Sequence, residues 1–218
     1  MLQLYFYPHA CSLASRIALM EAGVEARYHL VDIFTKKIVD SGADFLDVAP
    51  KGAVPVLVLE NGETLTESAA VLQYIADLKP ELGLAPPPGH PDRYRLQEWL
   101  SFVGTEIHKA FLFPTFWYDN DAAKAAARRR ISQNVTIAAD HLETRQYVIG
   151  DRFTVMDGYL AWALSLLKFG GVELGQWPTL AAYLARMQQR PAIKTAFALE
   201  RELLKTLPPR KLARAMAQ

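Results

Sequence analysis

Residues 79–91 read KPELGLAPPPGHP and put Pro80, Pro86, Pro87, Pro88 and Pro91 close together. Proline lacks a backbone N–H and fixes φ, so neither a helix interior nor a central strand can run through such a stretch. The cores have to be assembled on either side of it. The division predicted is a first domain over residues 1–80, a proline-rich linker over 81–91 and a larger domain over 92–218, both within ordinary domain size.

Ahead of the prolines, element types alternate. Leu2–Tyr7 is an apolar, aromatic run that predicts a strand. Ser12–Gly23 spaces Leu13, Ile17 and Met20 at helical intervals and stops on glycine. Ala26–Val31 predicts a second strand, which implies parallel pairing through a right-handed crossover. Val54–Glu60 and Glu63–Thr66 flank Asn61-Gly62, a strong hairpin signal. Glu67–Leu78 again predicts a helix. The order βαβ, irregular segment, ββα describes a small α/β sheet domain.

From Asp92 the chain predicts helices almost throughout. Leu96, Trp99, Leu100, Val103 and Ile107 form an apolar stripe. Ala122–Leu142 is rich in helix-favouring alanine and arginine, and Pro178–Gln189 and Ile193–Leu204 add two more segments. Thr154 reads as an N-cap with Asp157 as its reciprocal partner. The second domain is therefore expected to be a helical bundle.

Charge narrows the function classes. With 24 basic and 23 acidic residues the net charge is +1, which provides no global drive toward nucleic acid or an anionic membrane. No apolar run reaches the roughly 18 residues of a membrane span. Met1-Leu2-Gln3-Leu4 does not open a signal peptide. The five histidines show no paired ligand spacing, so no metal is expected. The single cysteine, Cys11, forms no internal disulfide and fits a reducing cytoplasm.

Three places carry potential chemistry. Cys11 stands where a strand gives way to a helix, and a thiolate at a helix N-terminus has a lowered pKa; the plain alternative is a small buried apolar residue. Val54-Pro55 opens a strand, and a cis bond there would let Val54 offer its N–H and C=O to an extended peptide; a trans proline starting a strand is the alternative. In Leu65-Thr66-Glu67-Ser68, a strand turns into a helix whose first amides suit a carboxylate, with Ser68 as a donor and Glu67 as a partner for an ammonium group; an ordinary capped helix explains it equally. Together the three would hold γ-glutamyl-cysteinyl-glycine.

YPHACSLASRIALMEAG, PKGAVPVLVLENGETLTESAAVLQYIAD, EWLSFVGTEIHK and YVIGDRFTVMDGYL preserve order and spacing across nearly the whole chain. In these residues the sequence resembles the glutathione transferase family, specifically the bacterial beta class. The resemblance implies a thioredoxin-like α/β domain, an all-helical domain and a homodimer. It also implies glutathione as cosubstrate and a cis bond before Pro55. It brings Cys11, with help from Ser12, to the glutathione sulfur and Lys36 to the glycine carboxylate. Val54 pairs with the cysteinyl backbone, Glu67 and Ser68 hold the γ-glutamyl end, and His108 joins the thiol site from the helical half.

Phe111, Phe113, Phe116, Trp117 and Tyr118 follow His108 and are expected, with Leu166, around an apolar electrophile. Tyr5 and Tyr7 are reserve candidates near the first strand. His9 and Gly158 depart from the family pattern: His9 replaces a small residue, and Gly158 leaves Phe153 without the apolar partner usual after the cap. The basic tail Leu203–Gln218, with Lys205, Arg210, Lys211 and Arg214, reads as an extension. Transfer of glutathione to an electrophile is the leading expectation. A disulfide oxidoreductase working through a mixed disulfide at Cys11 and a non-enzymatic carrier of apolar ligands are the alternatives.

Overall fold

The computed structural model of the chain describes residues 1–117 and 119–207. The first half contains β1 (Leu2–Phe6), α1 (Ser12–Glu21), β2 (Ala26–Asp32), β3 (Lys37–Ile38), β4 (Val56–Val58), β5 (Thr64–Thr66) and α2 (Ser68–Asp77). The sheet order is β3-β2-β1-β4-β5. β1 runs parallel to β2 and antiparallel to β4, and β4 and β5 form the expected hairpin, with Val58 opposite Thr64. Gly62 takes φ 86° in its turn, a conformation open to glycine. The short edge strand β3 gave no sequence signal, because two residues carry no periodicity.

The proline-rich connection is pinned at both ends. Pro80–Leu82 make one 3₁₀ turn, Leu84 and Ala85 are buried, and the Leu84 carbonyl accepts from the Val155 amide at 2.9 Å. The Arg93 guanidinium grips Asp77 with two hydrogen bonds of 2.8 Å and the Pro86 carbonyl at 3.0 Å.

The helical half begins with α3 (Pro91–Phe102), which continues as a π-helical segment over Val103–Leu112 and then α4 (Phe113–Trp117). It is followed by α5 (Asp121–Leu142), α6 (Val155–Leu166), α7 (Pro178–Gln188) and α8 (Pro191–Thr206). α6 is buried along nearly its whole length, as its apolar composition requires. Among the described residues no helix is long and apolar enough to cross a membrane. Tyr118 and the tail residues Arg210, Lys211 and Arg214 lie outside the described residues.

α1 makes the main contact between the halves, packing on α6 and α8, and α2 adds contacts to α3 and α6. Its residues Ser12–Leu19 are all buried, the polar ones included. Buried Arg16 reaches Glu200 of α8 at 2.9 Å, and Arg190 grips Glu21 with two bonds of 2.8 Å. At Gly158 the backbone of α6 comes close to α1. A Cβ at this glycine would lie 3.2 Å from Ile17 Cγ2 and 3.6 Å from Phe153 Cζ. The Phe153 ring is buried and carries the Arg190 guanidinium 4.0 Å from its centroid.

Candidate active site

Two cavities share a wall formed by Cys11, Lys51, Ala53, Val54, His108 and Lys109. The first, of about 320 Å³, is bordered by Phe113, Phe116, Trp117, Trp162 and Leu166. The second, of about 340 Å³, is more polar and is bordered by Pro55, Thr66, Glu67, Ser68, Thr105 and Tyr159.

The loop after β1 brings Cys11 to this wall. At its centre His9 takes φ 58°, the left-handed region that favours glycine. Its backbone is held from the helical half: the His9 amide donates to Glu200 Oε2 at 2.7 Å, and its carbonyl accepts from Trp162 Nε1 at 3.0 Å. Lys36 (φ 57°) and Glu67 (φ 71°) are also left-handed. These three are the non-glycine residues with positive φ among the described residues, and each lines one of the two cavities. Backbone strain of this kind concentrates at sites where surrounding contacts enforce it.

Cys11 caps α1, and its Sγ donates to the Val54 carbonyl at 3.1 Å. The helix start does not win the contest over its pKa. Burial pushes the thiol up, against smaller opposing effects of Ser68, Lys109 and the nearby backbone amides. Cys11 is therefore a neutral thiol in the unliganded chain.

Ser12 departs from expectation. It is fully buried, and its Oγ donates to the Tyr7 carbonyl at 3.2 Å and accepts from the Tyr7 amide at 3.3 Å. Its hydroxyl closes the loop and borders neither cavity; only its backbone amide acts on Cys11.

The Val54–Pro55 bond is cis. Cys11 Sγ donates to the Val54 carbonyl, which keeps a second lone pair beside the Val54 N–H. Glu67 immediately precedes α2, not within it, and its turn puts Ser68 and Ala69 of the first helical turn beside the second cavity. Lys51 holds Glu67 at 2.8 Å and Thr66 at 3.0 Å. Lys36 donates to the Gly52 carbonyl at 2.6 Å and lines the aromatic cavity, not the polar one.

His108 sits on the π-helical segment, between the cavities. Its Nδ1 meets the Tyr159 hydroxyl at 3.1 Å, and its ring lies edge-on to Trp162 at 4.9 Å. Burial, then the charge of Lys109, lowers its pKa to about 3, so the imidazole is neutral.

Phe113, Phe116, Trp117 and Leu166 border the aromatic cavity, and Trp117 stacks on Phe113 at 5.7 Å. Phe111 does not. It is buried, turned toward Gly170, where even a Cβ would come within 2.4 Å of its ring. The stripe Val103–Ile107 continued by four residues reaches Phe111, a signal for core that its aromatic neighbours obscured. Tyr5 stacks on His29 at 4.6 Å and Tyr7 lies edge-on to Phe34 at 6.0 Å; neither borders a cavity.

Sequence reasoning missed Lys51, Lys109, Tyr159 and Trp162 as wall residues. Lys109 was the most accessible, as the neighbour of His108. Among the described residues there is no cluster of three or more acids, histidines or cysteines able to hold a metal.

Comparison with known proteins matches this arrangement. Residues 10–78 match the family described as Glutathione S-transferase, N-terminal domain, and residues 103–191 match Glutathione S-transferase, C-terminal domain. The chain is 36% identical to glutathione S-transferase GstA of Escherichia coli O157:H7 over 205 residues, covering 91% of this chain and 98% of the relative. A sphingomonad glutathione S-transferase solved in complex with glutathione is 43% identical with a TM-score of 0.87, covering 91% of this chain and 98% of that one. A bacterial beta class glutathione S-transferase from Sphingomonas chungbukensis is 41% identical with a TM-score of 0.86 and the same coverage. The family matches span both halves of the chain and the relatives cover nearly all of it, so the chain belongs to the glutathione S-transferase family.

Proposed function

We propose that this protein is a glutathione transferase that binds glutathione in the polar cavity and delivers its sulfur, as the anion, to an apolar electrophile in the aromatic one. The observation that carries the reading is the shared wall: Cys11 and His108 border both cavities. A sulfur placed there lies beside the positive charge of Lys109 and gains the Cys11 S–H as a donor once that proton turns from the Val54 carbonyl. Stabilising a thiolate by one pKa unit takes about 1.4 kcal/mol, and one charge-assisted hydrogen bond supplies about that much.

The γ-glutamyl carboxylate is assigned to the first-turn amides of α2 and Ser68, and its ammonium group to Glu67. The cysteinyl backbone pairs with the Val54 N–H. The glycine end lies toward Lys36 past Gly52. The raised pKa of Cys11 favours transfer over the oxidoreductase reading, because a neutral buried thiol is a poor nucleophile toward disulfides. The homodimer, the cytoplasmic location and a detoxifying role belong to the same proposal.

The test is conjugation of glutathione to 1-chloro-2,4-dinitrobenzene, with glutathione affinity measured by calorimetry. Turnover that survives Cys11→Ala within about tenfold, the size of one lost hydrogen bond to an anion, is the expected result. Absence of both binding and turnover in the folded protein would overturn the assignment. Disulfide reductase activity that vanishes in Cys11→Ala, with a glutathione adduct on Cys11 by mass spectrometry, would replace it with the oxidoreductase.

Glu67→Ala is expected to raise KM for glutathione by roughly ten- to a hundredfold, the worth of a hydrogen bond to a charged group. The Lys51–Glu67 pair itself is well exposed and contributes little to stability. Steady-state kinetics at varied glutathione checks this, with unchanged thermal stability as the control.

A further inference from the structure

Tyr159 was singled out by nothing in the sequence, yet its hydroxyl is the partner of His108 Nδ1, at 3.1 Å. The pair is rigid. Tyr159 is buried and stacks on Trp162 at 5.5 Å with an interplanar angle of 6°. Trp162 in turn lies edge-on to His108 and is hydrogen-bonded through Nε1 to the His9 carbonyl.

Among the described residues His108 Nε2 has no protein partner, and it is not one of their sealed, unpartnered atoms, which are His9 Nε2 and Ser15 Oγ. It is the ring nitrogen open to a ligand. What it can do there depends on which nitrogen carries the proton, and in a neutral imidazole that is set by the partner of the other nitrogen.

A phenol is a stronger hydrogen-bond donor than a neutral imidazole N–H, and a bare imidazole nitrogen is a stronger acceptor than a phenol oxygen. The matched arrangement has the Tyr159 O–H donating to Nδ1. Resting on the glutathione reading above, we propose that Tyr159 is a positioning residue that locks His108 as the Nε2–H tautomer, so that His108 donates a hydrogen bond to the glutathione sulfur and does not act as its base.

The surroundings agree. The titratable and charged groups that line the polar cavity with His108 are Lys109 on its own segment, Tyr159 on α6, and Cys11, Lys51 and Glu67 from the first half; of these, Lys109 is the charge that acts on the imidazole. Burial together with Lys109 makes His108 too weak a base to take a proton from a thiol near neutral pH. Tyr159 itself keeps its proton, because burial and the negative charge that Cys11 and Glu67 can carry raise its pKa far beyond the physiological range. The sulfur anion is thus offered a fixed donor from the helical half, opposite the Cys11 thiol.

The proton position is read directly in the full-length, glutathione-free protein by long-range ¹H–¹⁵N correlation of the histidine rings. The expected result is a protonated Nε2 and a bare Nδ1 at His108, with protonation moving to Nδ1 in Tyr159→Phe. Kinetically, Tyr159→Phe should lower kcat about tenfold and raise the apparent pKa of bound glutathione by about one unit, the effect of losing one oriented donor. KM for glutathione should stay within about twofold. His108→Gln keeps an N–H donor but no basic nitrogen. It should retain the low thiol pKa, and adding Tyr159→Phe in that background should cost no further activity.

A protonated Nδ1 in the wild type overturns the proposal, even if Tyr159→Phe fails to fold. So does a thiol pKa lost in His108→Gln but kept in Tyr159→Phe. Failure of glutathione to bind at all would instead remove the functional reading and leave the tautomer result standing.

Discussion

Glu200→Ala is expected to cost about 3–5 kcal/mol of stability, the penalty for removing one partner of a buried ion pair. Glu200 is completely buried; Oε1 accepts from Arg16 Nε at 2.9 Å and Oε2 from the His9 amide at 2.7 Å. The Arg16 guanidinium lies over Phe6 and Tyr28, 4.4 and 4.0 Å from their ring centroids. Without the carboxylate, a cation and an amide are both left unpaired away from water. The check is urea unfolding, with a fall in midpoint at constant slope; a loss below about 1 kcal/mol would contradict the account.

The same residue sets a pH dependence. Burial raises the Glu200 pKa from 4.5 to about 7, against the pull of Arg16 and the His9 amide. The folded chain therefore holds this proton more tightly than the unfolded one. Its contribution to stability is full below pH 4.5 and is lost as pH rises through about 7. The stability difference between wild type and Glu200→Gln, followed from pH 5 to 8, isolates that loss.

Asp157→Ala is expected to be comparably damaging. The carboxylate, wholly buried, accepts from the Val148 amide at 2.9 Å, the Thr154 amide at 2.8 Å and the Tyr183 hydroxyl at 2.8 Å. Each orphaned buried donor costs about 1–3 kcal/mol, so three together exceed about 3 kcal/mol. For a chain of this size that lowers the melting temperature by about 10 °C. Scanning calorimetry checks it, and a shift within about 2 °C would refute the argument. The harm extends to activity, because Asp157 starts the helix that supplies Tyr159, Trp162 and Leu166 to the cavities. Asp157→Asn keeps one acceptor oxygen and should fall between the two.

Local chemistry was legible where it repeats or punctuates. The Asn61-Gly62 hairpin, the Thr154–Asp157 helix start and the helical stripe over Leu96–Ile107 all follow from spacing and turn residues. Cys11, Val54, Glu67 and Ser68 could be named because each sits beside an element boundary, and boundaries leave marks in sequence.

Interactions between distant segments leave no such mark. Arg16 and Glu200 are 184 positions apart, and nothing local distinguishes that arginine from a solvated one. Tyr159 and Trp162 look like core aromatics in an apolar helix, which they also are. The two readings of the thiol could not be separated for a related reason: the helix start is visible in the sequence, whereas the burial that outweighs it is a property of the assembled fold. Ser12 was misplaced because a hydroxyl one position after a site cysteine can point either way, and the loop uses it for closure.

The π-helical stretch over Val103–Leu112 makes the histidine's direction sensitive to chain length. Wide turns of this kind hold more residues than the same rise of α-helix, while each α-helical residue rotates the chain by about 100°. An evolutionary deletion of a single residue here would act as a swivel, swinging His108 off Tyr159 while every amino acid in the two cavities kept its identity.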